Sequence, residues 1–166
     1  MNLFKRVVIA MAVSFALALV AGRLDLLRGT PPTDLGVRDG RLKPPARIPN
    51  SVSSQAALHT DHPMRESARI DPLAVKFGDS NGTATLAALE SIVETMPGAR
   101  VVSSEGPYLY VQFTSEWFRF VDDTEFWYDP AAGVIQVRSA SRLGESDLGV
   151  NRKRIEAIRA QLSATP

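Results

Sequence analysis

The stretch that decides the fold is residues 99–140, ARVVSSEGPYLYVQFTSEWFRFVDDTEFWYDPAAGVIQVRSA. It contains four segments rich in β-branched and aromatic residues, and short Gly- and Pro-containing turns separate most of them. Such a pattern is typical of strands joined by hairpins. We therefore predict strands over residues 99–104, 108–114, 117–128 and 134–140, paired antiparallel in one sheet.

Alternation along the third strand predicts the faces of its acidic residues. Successive side chains of a strand point to opposite faces, so Asp123 and Glu125 share one face and Asp122 lies on the other. The same alternation is expected to place Arg119 with Asp123, and Phe126 opposite them. Adjacent acids within a strand are unusual because Asp is depleted there. Asp122, Asp123 and Glu125 are therefore candidates for a special role.

Two amphipathic helices flank this stretch. Apolar residues recur at helical spacing over residues 84–96, and again over residues 152–162. Asn151 is the predicted N-cap of the second helix, with Val150 and Ile155 forming a hydrophobic staple. Residues 68–74 are predicted to form a short edge strand. The fold class is α+β: a four- to five-stranded, mainly antiparallel sheet with two helices packed on one face, preceded by an N-terminal membrane helix.

The N-terminus has the pattern of an export segment. Lys5 and Arg6 precede the uncharged residues 7–22. We favour an uncleaved anchor in a bacterial inner membrane, with the N-terminus cytoplasmic and the rest periplasmic. A cleaved signal peptide is the alternative, and it would leave a periplasmic protein. The predicted division is a signal anchor or signal peptide over 1–28, a Pro/Gly-rich tether over 29–49 and one α+β domain over 50–166.

Composition excludes several classes of function. The chain has 166 residues and no cysteine, so cysteine nucleophiles, thiolate zinc sites and iron–sulfur clusters are excluded. Beyond residue 30 there are 15 basic and 17 acidic residues, and this near-neutral body argues against nucleic acid as a partner. The sequence predicts no cofactor. His59 and His62 have no evident third ligand, so a metal site there is not supported.

A basic loop, RSASRLGESDLGVNRKR over residues 138–154, follows the fourth strand. Three of its cations fall in the predicted first turn of the last helix, where the helix dipole disfavours positive charge. They therefore need acidic partners or a bound anion. The candidate ligand-binding residues are Arg138, Ser139, Ser141, Arg142, Asp147, Asn151, Arg152 and Arg154. The supporting acidic residues are Asp122, Asp123 and Glu125.

Several interpretations of these charges remain open. The acids could pair with the arginines and hold the last helix on the sheet, bind a divalent cation such as calcium, or serve as acid and base in hydrolysis. The loop over 142–149 has the general layout of an anion cradle. Alternatively, Gly144 and Gly149 permit a tight turn while Asp147 accepts hydrogen bonds from backbone N–H groups.

Five runs together resemble one family. They are DLGVRDGRL (34–42), PNSVSSQ (49–55), FVDDTEF (120–126), VRSASRLG (137–144) and DLGVNR (147–152). The chain resembles the bacterial and plastid family named domain of unknown function 1499, over residues 34–162. The resemblance implies an exported or membrane-anchored domain with no established activity. Many members carry a cysteine pair at the positions of Pro45 and Ser51, which implies a disulfide that this chain does without.

Three functions are compatible with the sequence. We favour a membrane-tethered periplasmic domain without catalysis, which binds a protein partner or an anionic ligand at the Arg138–Arg154 loop. Arg142, Arg152 and Arg154 would then contact the anion, and the three acids would orient them. The alternative is a hydrolase or lyase that uses the acids, with or without a metal. The third is a structural assembly factor whose charges only hold the fold.

Overall fold

The computed structural model describes residues 2–76 and 78–165. Three α-helices, one short 3₁₀ helix (Ala56–Leu58) and six strands make up the described fold. The helices are α1 (Leu3–Arg23), α2 (Thr83–Glu94) and α3 (Val150–Ala164). The strands are β1 (Ser51–Ser53), β2 (Leu73–Ala74), β3 (Ala99–Glu105), β4 (Tyr108–Thr114), β5 (Val121–Asp129) and β6 (Val134–Ser141).

All strands form one antiparallel sheet in the order β1-β6-β5-β4-β3, and β2 pairs with β6 alongside β1. The α+β class is confirmed, with six strands instead of four or five. The predicted edge strand over 68–74 forms a ladder only at Leu73–Ala74, and Arg69 adds one isolated parallel bridge to Ser53. Pro72 lacks the N–H that a ladder needs, which limits the strand to its last two residues. Because β5 lies between β4 and β6, its acids are central in the sheet.

The helices α2 and α3 pack on one face of the sheet, as predicted, and the main core lies between them and the strands. Leu89 from α2 and Ile158 from α3 are fully buried against Val111 and Phe126 of the sheet. Burying one such aliphatic or aromatic side chain stabilises a fold by about 1.5–3 kcal/mol. This core fixes α3 on the sheet and places its first turn beside the ends of β5 and β6.

The predicted start of the third strand, at residue 117, was wrong. Residues 115–120 form a turn, and β5 begins at Val121. Arg119 has a φ of +60°, which interrupts the extended backbone, so the predicted shared face of Arg119 and Asp123 does not exist. The Ser115 N–H donates to the Phe120 carbonyl, and the Phe120 N–H donates to Ser115 Oγ. These two hydrogen bonds satisfy backbone groups of Ser115 and Phe120 that strand pairing would otherwise have satisfied.

Helix α1 is apolar along most of its 21 residues and is largely exposed. Its most apolar window has a mean hydropathy of 2.1 and is 0% buried. It is the one helix among the described residues that is long and apolar enough to cross a membrane. A 21-residue helix extends about 30 Å, the thickness of the hydrocarbon core of a bilayer.

Gly98 connects α2 to β3 and provides a test of the helix–sheet connection. Its φ is +74°, and an added Cβ would collide with the Thr114 carbonyl. Gly133 has a similar φ of +64°, with no atom within 4 Å of an added Cβ. We expect Gly98→Ala to lower the free energy of unfolding by about 3 kcal/mol and Gly133→Ala by about 1 kcal/mol. Denaturant unfolding of the full-length protein in detergent measures both, and equal losses would contradict the close approach.

Candidate functional site

Three of the acidic residues of β5, Asp122, Asp123 and Glu125, are divided between the two faces of the sheet, as the alternation predicted. Asp122 pairs across the strands with Phe113 and Ser141, whereas Asp123 pairs with Gln112 and Ala140. The predicted site is therefore divided between the face that α2 and α3 cover and the face opposite. Each of the three carboxylates forms an ion pair with one arginine, and all three pairs are largely buried.

On the helix-covered face, Asp122 binds Arg154 of α3. The distance from Arg154 Nη2 to Asp122 Oδ2 is 2.6 Å. The guanidinium carbon of Arg154 also lies 4.4 Å from the centre of the Phe113 ring, within the range of a cation–π interaction. Arg154 Nη1 donates to Asn151 Oδ1 at 2.8 Å. Because α3 begins at Val150, Arg154 lies beyond its first turn, where the helix dipole acts only weakly. Asp122 provides the counter-charge of this guanidinium.

Asn151 is fully buried and connects α3 to two strands. Its amide group donates to Ser141 Oγ, to the Asn50 carbonyl and to Asp147. Its Oδ1 accepts the hydroxyl of Ser139, which in turn bonds to Thr124. A buried amide in such a network leaves little donor capacity for a ligand.

The prediction that Asn151 caps α3 was wrong. The N-cap is Gly149, with a φ of +78°, and Val150 is already helical, so the predicted staple does not form there. Asp147 provides the capping carboxylate, accepting the N–H groups of Gly149 and Asn151. Burial alone would raise the pKa of Asp147, but these hydrogen bonds outweigh it and hold the pKa below its usual range.

On the opposite face, Asp123 and Arg142 form a bidentate pair. Arg142 Nε and Nη2 each donate to one carboxylate oxygen at 2.8 Å. The Tyr110 hydroxyl also donates to Asp123. The Asp123 and Arg142 side chains are only 3% and 5% exposed, respectively. Removing either partner would leave an uncompensated buried charge.

Glu125 and Arg138 form a looser pair on the same face. Arg138 Nη1 lies 3.5 Å from Glu125 Oε2, and that oxygen accepts no hydrogen bond among the described residues. Glu125 Oε1 accepts the Gly36 N–H and the Tyr108 hydroxyl, both at 2.8 Å. Burial raises the pKa of Glu125, and Gly36, the Arg138 charge and Tyr108 oppose that shift only in part. Burial likewise lowers the pKa of Arg138.

Residues 34–48 cover the face of the sheet that carries the Asp123–Arg142 and Glu125–Arg138 pairs. Gly36 donates to Glu125, the Pro44 carbonyl accepts Arg138 Nε at 3.1 Å, and Leu42 is buried. Although the prolines and glycines of this segment predicted a tether, much of it packs against the sheet. Sequence reasoning missed its part in the site because the segment has no periodic pattern.

A cleft of about 770 Å³ opens beside these pairs. The chain between α1 and β1 contributes residues 30–34, Lys43, residues 45–48 and Asn50 to the lining. The sheet side contributes Asp123, Arg138, Ala140, Ser141 and Arg142. The basic residues on the lining are Lys43, Arg47, Arg138 and Arg142, and the acidic ones are Asp34 and Asp123. The cleft is therefore lined by two more positive than negative charges.

The predicted ligand residues do not converge on one point. Arg138 and Arg142 line the cleft, whereas Ser139, Asp147, Asn151 and Arg154 belong to the network on the helix side. Ser141 contributes to both, because its Oγ accepts from Asn151 while the residue also lines the cleft. Arg152 lies apart, donating to the carbonyls of Ser67 and Arg69.

No group of three or more metal-ligating side chains occurs among residues 2–76 and 78–165. Each of the three acids already neutralises a guanidinium, which is an arrangement typical of structural ion pairs. His59 and His62 have ring centres 6.5 Å apart, and no acidic side chain completes a ligand set with them in the described part of the chain.

The Asp123–Arg142 pair can be tested by an isosteric change. We expect Asp123→Asn to lower the free energy of unfolding by about 3–5 kcal/mol, because Arg142 stays buried without a counter-charge. The control is Glu156→Gln, which breaks the surface pair with Arg159 and should cost about 0–1 kcal/mol. Denaturant unfolding of the full-length protein measures both. A small loss at Asp123 would mean that the pair is not needed for folding.

Because Asp147 caps α3 as a carboxylate, we expect its contribution to the stability of the fold to depend on pH. The pKa of Asp147 is depressed in the fold, so its stabilisation is complete above its unfolded pKa and is lost as the pH falls through the folded value. We expect Asp147→Asn to cost about 1 kcal/mol at pH 7 and nothing at a pH below the folded pKa. Thermal unfolding against pH checks this, with exposed Glu145→Gln as the control. A gap that persists at low pH would contradict it.

Comparison with known proteins agrees with the resemblance. The family model described as "Protein of unknown function (DUF1499)" matches residues 41–162. The match includes the three acids, their arginine partners and the whole sheet. No curated protein and no solved structure matches the chain. The chain therefore belongs to the DUF1499 family, as its sequence motifs predicted.

Proposed function

We propose that this protein is a membrane-tethered domain without a catalytic role, which binds an anionic ligand in the cleft beside Arg138 and Arg142. The ligand's chemistry is that of a carboxylate or phosphate group. A small molecule or the acidic side chains of a protein partner could present it. The helix-side residues Asn151 and Arg154 hold the fold in this proposal and do not contact the ligand.

The main support for the proposal is the hydrogen bonding of the Arg138 guanidinium. Its side chain is 6% exposed, yet among the described residues neither Nη atom has an acceptor in hydrogen-bond geometry. Arg138 Nε already donates to the Pro44 carbonyl, and Nη1 lies 3.5 Å from Glu125 Oε2. The Nη groups therefore keep donor capacity that an anion in the cleft would use. Three of the four basic residues on the lining form ion pairs with acids, whereas Arg47 forms none among the described residues, and its positive charge also favours an anion.

The features of α1 support the proposed location. Lys5 and Arg6 lie at the start of α1, before its uncharged residues 7–22, and by the positive-inside rule this favours an N-terminus in the cytoplasm of a bacterial cell. The cleft-forming residues come soon after Arg23, so the ligand would be bound in the periplasm near the membrane surface. Cleavage of α1 would leave the same cleft on a periplasmic protein.

The alternative function is a hydrolase or lyase using Asp122, Asp123 and Glu125. One observation favours it, because burial raises the pKa of Glu125 and a proton-carrying carboxyl could act as an acid. However, Glu125 is fully buried and its Oε1 is held by the Gly36 N–H and the Tyr108 hydroxyl, which disfavours a role for it in substrate protonation. Stoichiometric calcium or zinc in the purified protein would favour the enzyme over the binding domain.

Arg47 provides a test that spares the core. It is exposed, it lines the cleft, and no hydrogen bond or ion pair joins it to the described residues. We expect Arg47→Ala to weaken citrate or inorganic phosphate binding by about threefold to fivefold, the effect of one exposed charge. Isothermal titration calorimetry on the full-length protein in detergent measures this. The matched control is Arg41→Ala, in the same segment but away from this cleft, which should bind like the wild type.

A second variant tests the guanidinium itself. Arg138→Lys keeps the charge but removes the planar donor fork, so we expect a larger loss of affinity than at Arg47. Thermal unfolding of the variant shows whether it remains folded. Absence of binding by the wild type to either probe, or equal loss in Arg41→Ala and Arg47→Ala, would contradict the anion site.

A further inference from the structure

The turn over residues 115–120 presents aromatic side chains to solvent. Trp117 is 62% exposed and Phe120 is 38% exposed. Neither packs into the main core, and the positive φ of Arg119 turns the backbone out of the sheet at this point. Exposed Trp and Phe in one short turn are costly in water and typical of a surface that contacts lipid or protein.

Helix α1 packs directly against this turn. Gly22 is buried there, and an added Cβ would lie 2.6 Å from the Phe118 carbonyl oxygen. The Phe15 ring meets the Phe118 ring edge-on, with centres 5.8 Å apart and an angle of 89° between the planes. The contact therefore extends from near the C-terminal end of α1 to its middle.

The extent of this contact along α1 indicates how deep the turn would lie in a bilayer. Phe15 and Gly22 are seven residues apart on one helix face, which corresponds to about 10 Å along the axis. One leaflet contributes about 15 Å of hydrocarbon. If α1 crosses a bilayer, the ring of Phe118 lies among the acyl chains of the leaflet at the C-terminal end of α1. Trp117 then lies close to the headgroups, where tryptophan is enriched.

The chain after α1 holds the domain close to the membrane. Only a few residues separate Arg23 from Gly29, and an added Cβ at Gly29 would lie 2.7 Å from Arg142 Cβ. Two contacts therefore hold the domain at the C-terminal end of α1. One is the packing of α1 on the turn, and the other is the packing of Gly29 on Arg142. A long free tether would give neither contact.

We propose that the turn over residues 115–120 inserts into the leaflet at the C-terminal end of α1 and fixes the domain against the bilayer. The occupant of this aromatic surface is phospholipid. The continuity of the surface with the membrane helix, through Phe15, Gly22 and Phe118, argues for lipid over a second protein. This inference rests on the membrane part of the proposed function and is independent of the anion cleft.

The chain has two tryptophans, which makes the test specific. Trp117 is in the turn, whereas Trp127 is 8% exposed near the other end of β5. The full-length protein, Trp127→Phe and Trp117→Phe are reconstituted into phosphatidylcholine vesicles with acyl chains brominated near the headgroup. We expect bromine to quench most of the emission of Trp127→Phe, which reports Trp117, and little of the emission of Trp117→Phe.

The outcomes separate the two proposals. A protein that floats with the vesicles but shows no bromine quenching of Trp117 overturns insertion and leaves the membrane anchor standing. A protein that does not float overturns both the anchor and insertion. If Trp127→Phe fails to fold, the difference in quenching between wild type and Trp117→Phe gives the same information. Equal quenching of those two proteins also overturns insertion.

Discussion

The fold depends on neutralising three carboxylates in the middle of its sheet. Asp122, Asp123 and Glu125 lie in the central strand β5 and are nearly or fully buried. A buried carboxylate without a partner costs several kcal/mol, so each must be matched by a cation in fixed geometry. Two guanidinium groups come from β6 and its following residue, and the third comes from α3.

This constraint organises both faces of the sheet. The Asp122–Arg154 pair joins a hydrogen-bonded network, centred on Asn151, that fixes the start of α3. The other two pairs lie on the face that α2 and α3 leave uncovered, where residues 34–48 shield them from water. Part of the segment expected as a tether therefore packs over these charges. The cleft forms where that cover is incomplete, beside Arg138 and Arg142.

The proposed ligand site and the proposed membrane contact both involve α1 or the residues that directly follow it. Residues 30–34 line the cleft and follow α1 closely, while α1 also packs on the turn after β4. A domain held in this way would present the cleft at a fixed position relative to the bilayer. Orientation of this kind suits recognition of an anionic group near a membrane surface, because the ordering cost is met before the ligand binds.

The sequence by itself determined the family, the α+β class, the apolar N-terminal helix and the opposite faces of Asp122 and Asp123. Local periodicity and turn chemistry carry that information. Tertiary structure alone decided which arginine meets which acid, because a guanidinium's partner depends on strand register and on where α3 lies. It also decided that Asp147 caps α3 instead of Asn151, and that residues 115–120 leave the sheet. The charge pairing depends on contacts with distant segments, which no local pattern records. The cap of α3 is itself local, but the Asn151 side chain bonds instead to Ser141 and Asn50, and only the tertiary structure shows those partners.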